Sequence, residues 1–311
     1  MTCNYRRFLS ASITLCAIAA VSVSSAADTR ELTHAGRSSV YGNLSTNSLE
    51  AVSTPEQILT LVQAPDSAAP TAIWTMLEHG ERVECLGCIP YVSKMLYATN
   101  PKTREISAWW LRRRIFGVFG PGEAYEQTLN TVSDRSKSEL SRAYAASALG
   151  EFLEGAGIPP VATALIKDPS PVVRLAAANA LIRLNHQGPN NELASALSDD
   201  NEEVRLAALN GVTHINVFSD VDQVVALISD PSPLVRRLVA QTLGTLRSAD
   251  SVMGLIALTS TDKEPDAGVR AAAVWALGQI ADSSARNAVL AAQNDENSAV
   301  RDAAAGALFR L

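Results

Sequence analysis

The sequence predicts an all-α fold, a right-handed solenoid of stacked helical hairpins, and three observations carry that prediction. An arginine recurs with a preceding valine at Arg174, Arg205, Arg236, Arg270 and Arg301, at intervals of 31, 31, 34 and 31 residues. Around each one, apolar and small residues fall on a helical period. No stretch alternates in the way a half-buried strand requires. A single hairpin cannot bury its own apolar face, so a periodic chain of this kind is stable only when successive units stack into one continuous core.

The N-terminal segment comes first in order and stands apart. Arg6 and Arg7 precede an apolar run from Phe8 to Val23, and Ser24, Ser25, Ala26 and Ala27 follow as small residues suited to signal peptidase. This pattern predicts a signal peptide over residues 1–26 and an exported, periplasmic or extracellular product. Ser10, Ser12 and Thr14 dilute the run, and it falls short of the ~20 apolar residues of a membrane span. Residues 27–53 are rich in Ser, Thr, Asn and Gly without helical or strand period, and are read as a flexible leader. Thr54-Pro55-Glu56-Gln57 then supplies an N-cap, a proline at the first helical position and a glutamine three residues after the cap, so the solenoid is expected over residues 54–311.

Within the array, Arg142 and Arg104 extend the series upstream by 32 and 38 residues, the longer interval containing Phe119-Gly120-Pro121-Gly122. Seven positions after each arginine stands Leu111, Leu149, Leu181, Val212, Leu243, Leu277 or Leu308. Alanines dominate three and six positions after it, and this spacing places them on one helical face where a neighbouring helix can approach closely. Turn signals such as Asp168-Pro169-Ser170-Pro171 and Asp230-Pro231-Ser232-Pro233 precede these helices, and shorter apolar helices precede the turns.

These turn-and-helix units, Asp168-Pro169-Ser170-Pro171-Val172-Val173-Arg174-Leu175-Ala176-Ala177 above all, resemble the HEAT-repeat family in its short, alanine-rich, phycobilin-lyase-like form. The resemblance covers Pro101 to Leu311 strongly and Thr54 to Asn100 more loosely. Tetratricopeptide and ankyrin repeats have similar periods, but their signature residues are absent here. What the resemblance implies is a fold that hosts scaffolds, transport receptors and a few enzymes. One such enzyme family, resembling deoxyhypusine hydroxylase, binds iron through His-Glu pairs. None of the 4 histidines here, His34, His79, His186 and His214, is followed by Glu, so no metal or other cofactor is expected.

Composition narrows the partner. The chain carries a formal net charge of -6 and 47% hydrophobic residues. That is ordinary for a foldable protein, and it lacks the cationic excess that nonspecific binding to nucleic acid would need. A protein partner is expected, with no nucleic acid and no membrane span after signal cleavage.

Three groups of residues are candidates for more than packing. The acids and arginines Asp168/Arg174, Asp199/Arg205, Asp230/Arg236 and Asp295/Arg301, with Arg270, form a ladder expected to tie each turn to the start of its helix, with hydrogen bonds shared between neighbouring repeats. Cys85-Leu86-Gly87-Cys88 reads as a structural disulfide, with a redox-active thiol pair as the alternative and, less favoured, a metal site with His79. Trp109 and Trp110 beside Arg112, Arg113 and Arg114 have the composition of an interaction hot spot, against the alternative of a bulky core helix with arginine stems lying over it. The leading function is a non-catalytic scaffold or adaptor, and the alternative is a periplasmic thiol redox protein.

Overall fold

A computed structural model of the chain describes residues 53–115, 122–184, 190–214, 218 and 220–311. The predicted signal peptide and all but the last residue of the leader lie outside the described residues. Sixteen α-helices, and no strand, occur among those residues, and they pair into eight hairpins. The fold is the α-solenoid that the periodicity predicts. The first helix of each hairpin is α1 (Pro55–Gln63), α3 (Ile89–Met95), α5 (Glu123–Ser133), α7 (Ile158–Lys167), α9 (Asn190–Ala196), α11 (Val221–Ala226), α13 (Val252–Leu258) or α15 (Arg286–Ala292). The second is α2 (Pro70–His79), α4 (Pro101–Ile115), α6 (Glu139–Phe152), α8 (Pro171–Leu184), α10 (Glu202–His214), α12 (Pro233–Leu246), α14 (Ala267–Ile280) or α16 (Ser298–Leu308). Second helices pack on one another in sequence from α2 to α16, and each also packs on the first helix of its own hairpin. The arginine series marks seven of the eight hairpins, because Ile73 stands on α2 where the arginine would be.

Local chemistry explains where the helices start and stop. The Thr54 side chain accepts from the Gln57 N–H while Gln57 reaches back to the Thr54 N–H, the reciprocal capping expected from the sequence. Ser138, Ser232, Asp266 and Asn297 cap α6, α12, α14 and α16 more simply, each side chain accepting from one backbone N–H of the first turn. Ser53, assigned to the leader by composition, is instead buried with its hydroxyl donating to the Met76 carbonyl at 3.1 Å.

The core runs between the two layers as one cluster, from Ile58 to Ala307. Close approach of second helices depends on one register. Eight positions after the arginine stands Gly150, Gly244 or Gly278, and a Cβ there would lie 2.8, 2.8 and 2.7 Å from the Cα of Ala180, Ala276 and Ala307 on the next second helix. At the α8–α10 contact the sizes are exchanged, with Ile182 on one helix and Gly211 on the other. The interface is therefore a size-complementary seam, which explains why alanine and glycine dominate these positions.

Candidate functional site

The arginine ladder links each repeat to the next. Each guanidinium has two jobs. Its Nη1 donates to carbonyls of its own turn, as Arg205 does to Asp199 at 2.8 Å and Asp200 at 3.2 Å. Its Nε and Nη2 donate side by side to the carboxylate of the following turn, 25 to 28 residues on, as Arg205 does to Asp230 at 2.8 and 3.0 Å. Such parallel charge-assisted bonds fix orientation as well as adding strength. The same arrangement joins Arg142 to Asp168, Arg174 to Asp199, Arg236 to Glu264 and Arg270 to Asp295. The acid six residues before an arginine thus gives that arginine its backbone carbonyl, while its carboxylate serves the arginine of the preceding repeat. Asp168, Asp199, Asp230 and Asp295 also each accept the N–H two residues on, pinning the turn.

Burial alone would raise the carboxyls of Asp168, Asp199 and Glu264, but the arginine and backbone hydrogen bonds outweigh it and hold all three below their ordinary range. Hydrogen bonding from Arg270 does the same to Asp295 against a smaller effect of burial. Glu264 was not among the sequence candidates, yet it stands six residues before Arg270 and that spacing marks it. The two ends of the series differ. Arg104 donates to the Ala98 and Thr99 carbonyls and stacks over the Tyr144 ring at 3.8 Å. Among the described residues, Arg301 bonds only its own turn, at the Asp295 and Glu296 carbonyls.

The aromatic and basic helix α4 divides by direction. Trp110 is fully buried and donates from Nε1 to the Gly80 carbonyl at 3.1 Å. Arg114 is buried too, stacks on the Trp110 ring at 3.4 Å, and donates to the carbonyls of Trp110, Gly80, Glu81 and Val83. Burial lowers the Arg114 pKa to about 10, which leaves it charged at neutral pH. These two side chains close the loop after α2 and are not offered to a partner, which corrects their candidacy as contact residues. Trp109 is half-buried against the core, Arg112 is half-buried, and Arg113 is exposed and reaches Glu81 at 3.3 Å.

Cys85 and Cys88 lie on a single 3-10 turn ahead of α3, both buried, with Cα atoms 5.3 Å apart and their sulfurs in bonding contact. His79 is buried at the end of α2, and burial lowers its pKa. No group of three potential metal ligands occurs among the described residues, and no helix among them is long and apolar enough to cross a membrane.

Comparison with known proteins identifies the repeats of the C-terminal half. Residues 190–266 and 260–311 match the family model of HEAT repeats, and residues 158–186 match that of the single HEAT repeat. Residues 158–186 and 190–311 are therefore HEAT repeats. No curated protein sequence matches it. Among solved structures, the HEAT array is similar to the Escherichia coli protein YibA, at 16% identity and TM-score 0.56, covering 88% of this chain and 98% of that one. It is also similar to importin-β, at 14% identity and TM-score 0.60, covering 91% of this chain and 50% of that one. Yeast importin-β (Kap95p) aligns at 15% identity and TM-score 0.57, over 85% of this chain and 41% of that one. The HEAT array here thus spans half or less of the importin chains, and likeness at these identities describes the fold alone.

Proposed function

We propose that this helical-repeat protein is an exported scaffold or adaptor that binds another protein through its extended helical surface and performs no chemistry of its own. The observation that carries the reading is that the conspicuous charges are consumed inside the fold. From Arg142 to Arg270 every ladder arginine is paired with an acid of the next repeat, which leaves the long exposed face of the second helices as the surface available to other molecules. Affinity capture with the full chain from an envelope extract tests it: specific capture lost on reversing the charge of half-buried Arg112 and exposed Arg113 supports the reading and puts part of the contact on α4. Export rests on the sequence pattern of residues 1–27, and N-terminal sequencing of the product tests it, with an intact Met1 on a membrane-bound chain as the opposing result.

The same reading makes Cys85 and Cys88 a staple and not a reagent, because both are buried and the bond would close a short loop at the start of α3. The Cys85→Ser/Cys88→Ser variant is expected to lose some thermal stability and retain partner capture. Turnover in an insulin-reduction assay, or a reduction potential in the range of thiol oxidoreductases, would instead support the redox alternative.

A further inference from the structure

The second helices carry one more ladder, on their solvent side. Five positions after the arginine stand Trp109, Ser147, Asn179, Asn210, Gln241, Trp275 and Gly306 on successive helices α4 to α16. Apart from half-buried Trp109 all are exposed, and none is charged. Exposed helix positions normally collect Glu, Lys and Arg, whereas the centre of a contact surface is depleted of charge. Asparagine is also a poor helix former, so two of them in register at mid-helix are not explained by helix stability. The side-chain amides of Asn179, Asn210 and Gln241 make no hydrogen bond among the described residues. Each is a donor and an acceptor held side by side.

Equal register places these residues along one line. On α12 and α14, Arg237, Gln241, Gly268, Ala271, Ala272 and Trp275 line a common groove of about 480 Å³. Trp275 leans across it towards α12, its Cζ3 atom 2.8 Å from where a Gly244 Cβ would be. Arg237, on the rim, is exposed and has no ion-pair partner among the described residues.

Packed helices stand ~8–10 Å apart. A polyproline-II segment has three residues per turn and rises about 9.3 Å in that turn, with its backbone N–H and C=O groups unbonded. Such a segment laid across the second helices brings the same face of its chain to each successive helix. A helical partner fits this line poorly, because its backbone groups are already bonded internally.

We infer that the stripe Asn179–Asn210–Gln241–Trp275 binds an extended segment of a partner protein in polyproline-II conformation. One residue in three has its backbone bonded by an amide of the stripe, one apolar side chain lies against Trp275, and an acidic side chain meets Arg237. Spanning α8 to α14 takes roughly eight to ten residues at this rise. The inference rests on the protein-binding reading and gives that reading a partner chemistry.

The test uses random 12-residue peptides displayed on phage and selected on the full chain, followed by synthesis of the enriched sequence. That peptide should bind the full chain. Asn179→Ala/Asn210→Ala/Gln241→Ala should weaken it by about tenfold or more with unchanged melting temperature, and Trp275→Ala should weaken it as much at a temperature where that variant is fully folded. N-methylation along the peptide backbone should abolish binding with a period of three residues. Failure to enrich any sequence, unchanged affinity for the triple variant, or helix formation by the bound peptide in circular dichroism would overturn the inference. Self-association of the chain that the triple variant abolishes would also overturn it, assigning the stripe to a second copy. If the triple variant still captures the partner from extract, the scaffold reading stands and the stripe is not its site.

Discussion

Replacing Arg205 by alanine tests the ladder in the middle of the array, and Arg301 offers an internal control. Arg205 and Asp230 have side chains 10% and 3% exposed, joined by two parallel bonds. Truncation leaves the Asp230 carboxylate buried with only the Ser232 N–H, at 2.9 Å, and strips a donor from the Asp199 and Asp200 carbonyls. Breaking one side of a buried pair costs about 3–5 kcal/mol, most of it the penalty on the charge left behind. Arg301 is exposed and holds two turn carbonyls without a carboxylate, so Arg301→Ala should cost about 1 kcal/mol. Urea unfolding of the full chain, followed by circular dichroism, compares the two variants with wild type. The slope must be watched as well as the midpoint, because a broken interface can let the two halves of a repeat array unfold separately. Equal losses for the two variants, or a loss below about 1 kcal/mol for Arg205→Ala, would refute the claim that the ladder stabilises the stack.

Further outcomes follow from the same geometry. Asp168, Asp199, Glu264 and Asp295 have folded pKa values below their unfolded ones, so their contribution is complete above the ordinary carboxylate range near pH 4 and is lost as pH falls through the folded values. The urea midpoint should therefore hold near neutrality and drop steeply below about pH 4. Gly278→Val forces a side chain into the Ala307 backbone and should cost about 1–3 kcal/mol, whereas Gly306→Ala meets nothing within 4 Å and should stabilise α16 by about 0.5–1 kcal/mol. Thermal melts of the two variants check the opposite signs. Arg114→Leu should destabilise by removing the donor that gathers the Gly80, Glu81 and Val83 carbonyls, whereas Arg113→Ala, at a 3.3 Å surface pair, should change melting little.

Local signals in the chain determined the repeat, its helices and much of their capping. A proline three residues before an arginine, small residues three and six positions after it and a leucine at seven are properties of one helix and need no neighbour to be read. The Thr54/Gln57 cap and the hairpin turns are of the same kind. Glu264 also lay within reach of this reasoning, since it keeps the spacing of the aspartates while changing the residue type. What only the tertiary structure decided are the relations between repeats. The sequence pairs Asp199 with Arg205 by proximity along the chain, but stacking carries the Asp199 carboxylate to Arg174, 25 residues earlier, and leaves its carbonyl to Arg205. Arg112, Arg113 and Arg114 are equivalent in the sequence, yet successive residues on a helix point ~100° apart. Contact with α2 and its following loop selects Arg114 for burial and leaves Arg113 outside. A helical period states which residues share a face, and only the neighbouring helix determines which face is covered.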